Sequence, residues 1–259
     1  MGQIWEWTGD GRVRTVQTKR PKKITATRFA AVLGRDAWKT DFEVWCTLTR
    51  VYERPYEKTK EMAAGEAIEP KLIAYARGLS GAGASVKAPA DVYGPDYRRK
   101  TYCDFFPRDR RFGGMWDAVR TDADGRVTGL LECKTTRWRK DWEDGRVPEN
   151  YALQAALYAY LLGVEDICMV CSFLSAEDDG AGHPDGDYGH PEDFVPSPDN
   201  TVTVPFTLHG RYPAFESDIK EAAAWWDRHV VTGVSPAYDE ARDADILKAL
   251  REMRPQQDP

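Results

Sequence analysis

The sequence predicts a mixed α/β protein, and three stretches carry that expectation. Residues 116–120 and 127–136 are two β-type runs, and the turn residues between them end in Asp124-Gly125, which reads as a hairpin. Residues 150–162 (N-Y-A-L-Q-A-A-L-Y-A-Y-L-L) have a helical pattern, and residues 167–174 follow as a third core strand, so strand and helix alternate. Residues 201–208 add a strand holding Pro205, and a proline inside a strand assigns it to a sheet edge. At 259 residues the chain can build one large core, or one domain with appendages.

Taken in order, residues 1–23 read as an N-terminal arm. Residues 24–33 read as a short helix that Thr25 or Thr27 can cap, and Gly34 ends it. Hydroxyls at a helix N-terminus with Arg20 and Lys22 nearby suit a phosphate, although capping explains the threonines equally well. A second helix begins at Lys39 and runs to residue 50, with Phe42, Trp45 and Leu48 on its apolar side. Residues 58–77 are helical by pattern and contain Gly65-x-x-x-Glu69-Pro70; Ile68, Leu72, Ile73 and Ala76 form the buried stripe, and Gly78 marks its end. Glu66 and Glu69 are three apart and share a side. Glu69, beside a proline in an otherwise apolar segment, is the harder of the two to read as merely solvated. Residues 81–84 read as a loop, 85–90 as a strand and 93–111 as a basic, aromatic connection.

The hairpin concentrates the chemistry. It carries Asp117 on its first strand and Glu132 and Lys134 on its second, and residues two apart on a strand share a face. Two carboxylates and an ammonium can therefore converge on one patch of sheet. Carboxylates are hard ligands for Mg²⁺ or Mn²⁺, and a lysine beside them can position water and offset phosphate charge. An exposed hairpin with a cross-strand ion pair is the plainer alternative. Leu130 and Leu131 lead into Glu132, however, so the acid lies on a buried-looking strand, and a buried carboxylate needs a cation.

Beyond the hairpin, residues 140–149 are polar and turn-rich. The following helix is capped by Asn150 and closed by Gly163; Tyr151, Gln154 and Tyr158 line one face, and Leu153, Leu157 and Leu161 another. Residues 175–200 are rich in Gly, Pro and Asp and read as a mobile loop or insertion, in which His183 and His190 are solvated rather than metal-binding. Residues 215–231 form an amphipathic helix with Trp225 and Trp226. A charged tail, 240–259, is helical in part between residues 239 and 251.

With 36 Lys and Arg against 42 Asp and Glu, the net charge is −6, but its distribution matters more. Basic residues alone carry charge from Arg12 to Arg28 (Arg12, Arg14, Lys19, Arg20, Lys22, Lys23, Arg28). A second basic cluster, Arg98 to Arg111, precedes the hairpin, and Arg137, Arg139 and Lys140 follow it. Residues 177–200 hold acids and no Lys or Arg. Five cysteines without framework spacing fit free thiols in a reducing cytoplasm, and Cys168-x-x-Cys171 reads as buried thiols rather than a redox pair. No apolar run is long enough to cross a bilayer, and the polar start of the chain does not read as a signal peptide.

With these residues placed, the chain resembles the PD-(D/E)XK nuclease superfamily, in its branch of phage recombination exonucleases, the lambda-exonuclease, RecE and YqaJ-like group. Ile24-Thr25-Ala26-Thr27 before Phe29 to Gly34 is similar to the branch's opening helix, and Gly65-x-x-x-Glu69-Pro70 to its acidic helix. Asp117 with Glu132-Cys133-Lys134 matches the catalytic signature, Gln154-x-x-x-Tyr158 the next helix motif, and Ala224-Trp225-Trp226 through Gly233-x-x-Pro236 the closing one. The resemblance spans roughly residues 17–239 and implies a restriction-endonuclease-like core, a central mixed sheet flanked by helices, with a nuclease domain over 24–239. It implies two Mg²⁺ or Mn²⁺ ions held by Asp117, Glu132 and the Cys133 carbonyl, with Glu69 completing the acidic shell. Lys134 would position or activate water, Gln154 and Tyr158 would orient the site, and Arg20, Thr25, Thr27, Arg28 and Arg137 would hold DNA or its 5′-phosphate. Two departures stand out: Met115 occupies a position where a phosphate-binding hydroxyl is expected, and no proline precedes Asp117.

The activity implied is a metal-dependent deoxyribonuclease, an exonuclease working 5′ to 3′ on linear duplex DNA for recombination. Its implied partners are a single-strand annealing protein and other copies of itself in a trimer, in the cytoplasm of a bacterial host. An endonuclease or single-strand nuclease on the same core, or an inactive DNA-end-binding protein, are the alternatives. Iron–sulfur relatives use one early and three late cysteines; the late cluster is missing, so no iron–sulfur cluster is expected.

Overall fold

The hairpin forms around its Asp-Gly turn and becomes part of a five-stranded sheet. The computed structural model describes residues 5–16, 20–79, 85–177 and 186–253. In chain order the first elements are β1 (Trp5–Trp7), β2 (Val13–Thr15), β3 (Ile24–Thr25), α1 (Ala26–Val32), α2 (Asp41–Thr49), α3 (Lys60–Leu79), β4 (Ser85–Lys87), α4 (Pro89–Tyr93) and α5 (Tyr97–Lys100). There follow β5 (Phe112–Gly113), β6 (Ala118–Thr121), β7 (Val127–Thr136), α6 (Glu149–Leu162), β8 (Asp166–Phe173), β9 (Thr201–Thr207), α7 (Leu208–Arg211), α8 (Phe215–Trp225) and α9 (Ala244–Glu252).

These elements fall into two units. The first comprises Met1–Tyr56, Arg108–Gly113 and Ala214–Pro259; the second comprises Glu57–Pro107 and Gly114–Pro213. In the first unit β1 and β2 pair antiparallel, and β3 and β5 pair parallel. Phe29 on α1 meets both Phe112 and Phe215, and Trp45 on α2 donates its indole N–H to the His229 carbonyl at 2.9 Å, so helices distant in sequence share one core. Thr40 caps α2 by accepting from the Glu43 N–H at 3.0 Å, a threonine placed where the backbone donor has no helical partner.

The second unit holds the sheet, in the order β4-β6-β7-β8-β9, with β7 and β8 parallel and the other neighbours antiparallel. β9, the strand with Pro205, is at the edge. Leu131 and Cys133 on β7 pack with Ala64, Ile68, Leu72 and Ile73 of α3. Successive β7 side chains face opposite ways, so Glu132 and Lys134 turn to the other face, where Gln154 of α6 meets Glu132. In the turn, Asp122 accepts N–H bonds from Asp124 and Arg126 at 3.0 and 2.9 Å, and Gly125 takes a φ of +79° that favours glycine.

Several boundaries differ from expectation. Ile24 and Thr25 form a strand with Phe112 and Gly113 instead of opening the helix, because the partner strand lies almost ninety residues on. Thr25 is the N-cap of α1, but its hydroxyl meets that of Thr27 at 3.0 Å and caps no N–H. Asn150 lies inside α6, whose N-cap is Pro148. Gly78 does not stop α3, which runs on to Leu79 and passes through Pro70. Proline there deprives the Glu66 carbonyl of its helical donor; burial of Ile68, Leu72 and Ile73 against the sheet offsets that loss. Asp117 lies one residue before β6. Of the segment read as a mobile loop, residues 186–200 are held to α3, with Phe194 in the core and the Lys71 ammonium donating to the Pro191 and Phe194 carbonyls at 3.1 and 2.8 Å. The expectations for Lys19, the 81–84 loop and His183 fall outside the described residues. Among the described residues no helix is long and apolar enough to cross a membrane.

Candidate active site

The site arises where a strand loses its neighbour. β6 pairs with β7 only as far as Ala118↔Leu131, while β7 continues to Thr136. Beyond Leu131, one edge of β7 is therefore open, and its backbone donors need other partners. Asp117 supplies one: its Oδ2 accepts the Cys133 N–H at 2.8 Å. A side chain takes over from the missing strand, and a carboxylate comes to rest beside Glu132. The cavity at this opening, of about 380 Å³, is lined by Glu66 and Glu69 from α3, by Asp117, by Glu132, Cys133 and Lys134 from β7, and by Gln154 from α6.

Glu132 is fully buried. Its Oε1 accepts from the Lys134 ammonium at 2.9 Å and from the Gln154 amide, while its Oε2 is buried and accepts no hydrogen bond. Native proteins seldom leave a buried carboxylate oxygen unserved. Burial, followed by the charge of Asp117, raises the Glu132 pKa to about 8. Burial and then Asp117 likewise raise that of Glu69 to about 7. Asp117 is itself pushed up by burial, against the pull of Lys134 and the Cys133 N–H. Burial works against charge on Lys134 too, but Glu132 and Asp117 more than offset it, so its pKa rises and it stays protonated. The Tyr151 ring lies 5.3 Å from the Lys134 ammonium and holds it from another side.

Glu69, Asp117 and Glu132 thus share one confined space with the Lys134 ammonium, while the exposed Glu66 pairs with Lys58. Burial is the first cause of the raised pKa values of Glu69, Asp117 and Glu132, and repulsion from Asp117 raises those of Glu69 and Glu132 further. A divalent cation removes that repulsion, and the donor set of hard carboxylate oxygens, one of them unserved, suits Mg²⁺ or Mn²⁺. The residues present therefore fit such an ion.

Of the sequence-nominated residues, the structure brings Glu69, Asp117, Glu132, Cys133, Lys134 and Gln154 to this one cavity. Tyr158 is held against the chain leading to Asp117: its hydroxyl bonds the Met115 backbone and its ring stacks on Phe106 at 6.2 Å. Gly114 makes that contact possible. Its φ is +126°, and an added Cβ would lie 2.7 Å from the Tyr158 hydroxyl oxygen. Asp104 fixes the same loop by accepting N–H bonds from Phe106 and Gly114 at 3.0 and 3.2 Å. Gly114→Ala is expected to cost about 1–3 kcal/mol from backbone strain and overpacking. That lowers the melting temperature by several degrees. Tyr158→Phe in the same chain should restore part of the loss; no restoration would show that the clash is not the cause.

Arg20, Thr25, Thr27 and Arg28 lie in the first unit. Thr25, Thr27 and Arg28 gather at the first turn of α1, where Arg28 is half-buried and its pKa is lowered by that burial. Arg20 is exposed and its carbonyl accepts from Arg50. Arg137, in the second unit, is exposed just past β7. Sequence reasoning did not single out Arg98, whose charge acts on both Glu69 and Asp117 and which stacks on the Tyr97 ring at 5.6 Å. In the sequence it is one basic residue among several, and only the fold distinguishes it.

A five-stranded mixed sheet flanked by helices, with carboxylates and a lysine at the open end of its central hairpin, defines a restriction-endonuclease-like protein. The chain belongs to the YqaJ-like viral recombinase domain family, whose model matches residues 17–165; this is the branch that the ordered motifs resemble. The protein MG373 of Mycoplasma genitalium is 27% identical over 266 residues, covering 88% of this chain and 87% of that one. The same fold is found in an alkaline exonuclease from Laribacter hongkongensis, with a TM-score of 0.54 at 17% identity, covering 90% of this chain and 94% of that one. A phage-related exonuclease from Haemophilus somnus matches with a TM-score of 0.51 at 13% identity, covering 82% of this chain and 96% of that one.

Proposed function

We propose that the chain is a divalent-metal-dependent exodeoxyribonuclease, hydrolysing linear duplex DNA from the 5′ end during recombination. The observation that carries this reading is the unserved, buried Glu132 Oε2 in a cavity shared with Asp117, Glu69 and one ammonium. Asp117, Glu132 and Glu69, with the Cys133 carbonyl, would hold two Mg²⁺ or Mn²⁺ ions. Such ions, when bound, lower the pKa of water and stabilise charge on the leaving oxygen. By occupying Oε1, Lys134 and Gln154 leave Oε2 as the oxygen open to a cation. Lys134, kept protonated between Glu132 and Tyr151, presents its charge to the phosphate and orients the attacking water. Arg20, Thr25, Thr27, Arg28 and Arg137 would hold the DNA and its 5′-phosphate. A single-strand annealing protein would receive the remaining strand, and a homotrimer would encircle the duplex. The relatives that share the fold are exonucleases by name, which supports the same reading.

End-labelled linear duplex and covalently closed circles, each incubated with Mg²⁺, test the proposal. Linear DNA is expected to be degraded and circles left intact, with Lys134→Ala slowing degradation by about 10²–10³-fold. Cutting of circles would instead assign an endonuclease. Binding of ends with no cleavage by the unaltered protein would assign an inactive end-binding protein.

A further inference from the structure

Immediately past β7 the chain reads Arg137-Trp138-Arg139-Lys140, and all four side chains are exposed. Trp138 is 60% exposed, a large apolar ring in water. The Arg137 guanidinium lies 4.6 Å over that ring and covers one face. Arg139 is fixed as well: it lies 4.3 Å over the Phe173 ring and donates to the Asp199 carbonyl at 2.7 Å. The Trp138 N–H donates to the Thr136 hydroxyl at 3.1 Å, which holds the turn in place. Of the acids near the run among the described residues, Glu61 faces Arg137, Glu143 pairs with Arg146, and Asp141 lies in the same first helical turn as Arg139, its N–H donating to the Trp138 carbonyl at 3.3 Å. The run begins two residues beyond Thr135, which lines the catalytic cavity. Trp138 lies four positions beyond Lys134, a span of at most about 14 Å.

We propose that this run binds single-stranded DNA, with a base stacked on the open face of Trp138 and phosphates held by the flanking Arg137, Arg139 and Lys140. The proposal deepens the nuclease reading and rests on it for the identity of the strand, whose cut end would occupy the cavity. An aromatic platform interleaved with cations is how proteins hold single strands without reading their sequence, since every base has a π-face. Duplex DNA keeps its bases stacked on one another and offers none to the ring. The surface therefore selects strands that are already separated, and it would retain the cut strand between successive cleavages.

The test uses the full chain, metal-free in chelator so that nothing is cut, with fluorescence anisotropy of labelled oligo-dT and of a blunt duplex. Trp138→Ala is expected to weaken oligo-dT binding by about 10- to 100-fold, Trp138→Phe to retain most of it, and duplex binding to change less than about twofold. Arg137→Ala and Arg139→Ala should each reduce the salt slope of oligo-dT binding by about one, whereas Trp138→Ala leaves it unchanged. Unchanged oligo-dT affinity in Trp138→Ala, or an equal loss on duplex, overturns the proposal and leaves the patch to a protein partner. If the unaltered protein binds oligo-dT through Trp138 yet never cleaves DNA with Mg²⁺, the nuclease reading falls and the single-strand surface stands. If it cleaves while Trp138→Ala binds as before, this proposal alone falls.

Discussion

Asp117→Asn is expected to abolish DNA cleavage, by about 10²–10³-fold or more, and at the same time to stabilise the metal-free protein above pH 7. The two effects have one cause. Asparagine keeps an oxygen able to accept the Cys133 N–H, so the strand end remains tied. It removes the charge that, after burial, does most to raise the pKa of Glu132 and Glu69. Each pKa unit relieved in a neighbour is worth about 1.4 kcal/mol, and about 1 kcal/mol shifts the melting temperature by about 2–4 °C in a chain of this size. A gain of a few degrees at pH 8 with loss of cleavage is thus the expected pair. Cleavage at the parental rate, or a lower melting temperature at pH 8, would contradict it. Active sites commonly forgo stability in this way for the sake of chemistry.

The second large effect concerns pH and metal. Glu69 and Glu132 have pKa values of about 7 and about 8 in the folded protein, against an ordinary value of 4.5. Between those values the folded chain binds more protons than the unfolded chain, so stability falls as pH rises. Their contribution is fully present below about pH 4.5 and is lost as pH passes through 7 and 8. In chelator the stability is therefore expected to fall from pH 6 to pH 9 by on the order of a few kcal/mol, read as a lower melting temperature. Millimolar Mn²⁺ should remove most of that fall, and its stabilisation should be larger at pH 8.5 than at pH 6, because ligand carboxylates must lose their protons to bind. In the Glu69→Gln/Glu132→Gln variant both the fall and the metal response should shrink. A melting temperature equally sensitive to pH in that variant, or a Mn²⁺ shift independent of pH, would show that these carboxyls do not form the site.

Much of the second unit is legible in the sequence because its signals are local. Asp-Gly between alternating strands fixes the hairpin, the period of two places Glu132 and Lys134 on one face, and Gly163 in the left-handed conformation closes α6. The period of α6 also brings Tyr151 to Lys134, Gln154 to Glu132 and Tyr158 to Met115. What is not legible depends on partners far along the chain. Nothing near Ile24 announces that its mate is Phe112. The end of β6 pairing at Leu131 opens the cavity, and it is set by tertiary geometry, as is the capture of the Cys133 N–H by Asp117. Pro70 reads as a helix breaker, yet packing of its neighbours on the sheet carries α3 through it and aims Glu69 at the cavity. Arg98 and Gly114 are unremarkable as letters. Their importance comes from the carboxylates that one faces and the tyrosine that the other admits.

The central claim is that Asp117, Glu132 and Glu69 gather to hold divalent cations. Anomalous scattering from crystals grown with Mn²⁺ tests it most directly. The account predicts peaks inside the cavity within coordination distance of Asp117 and of the Glu132 oxygen that Lys134 and Gln154 leave unoccupied. A cavity without a peak, while Mn²⁺ binds elsewhere on the chain, for instance at the half-buried His190 with the exposed Glu192 and Asp193, would contradict it.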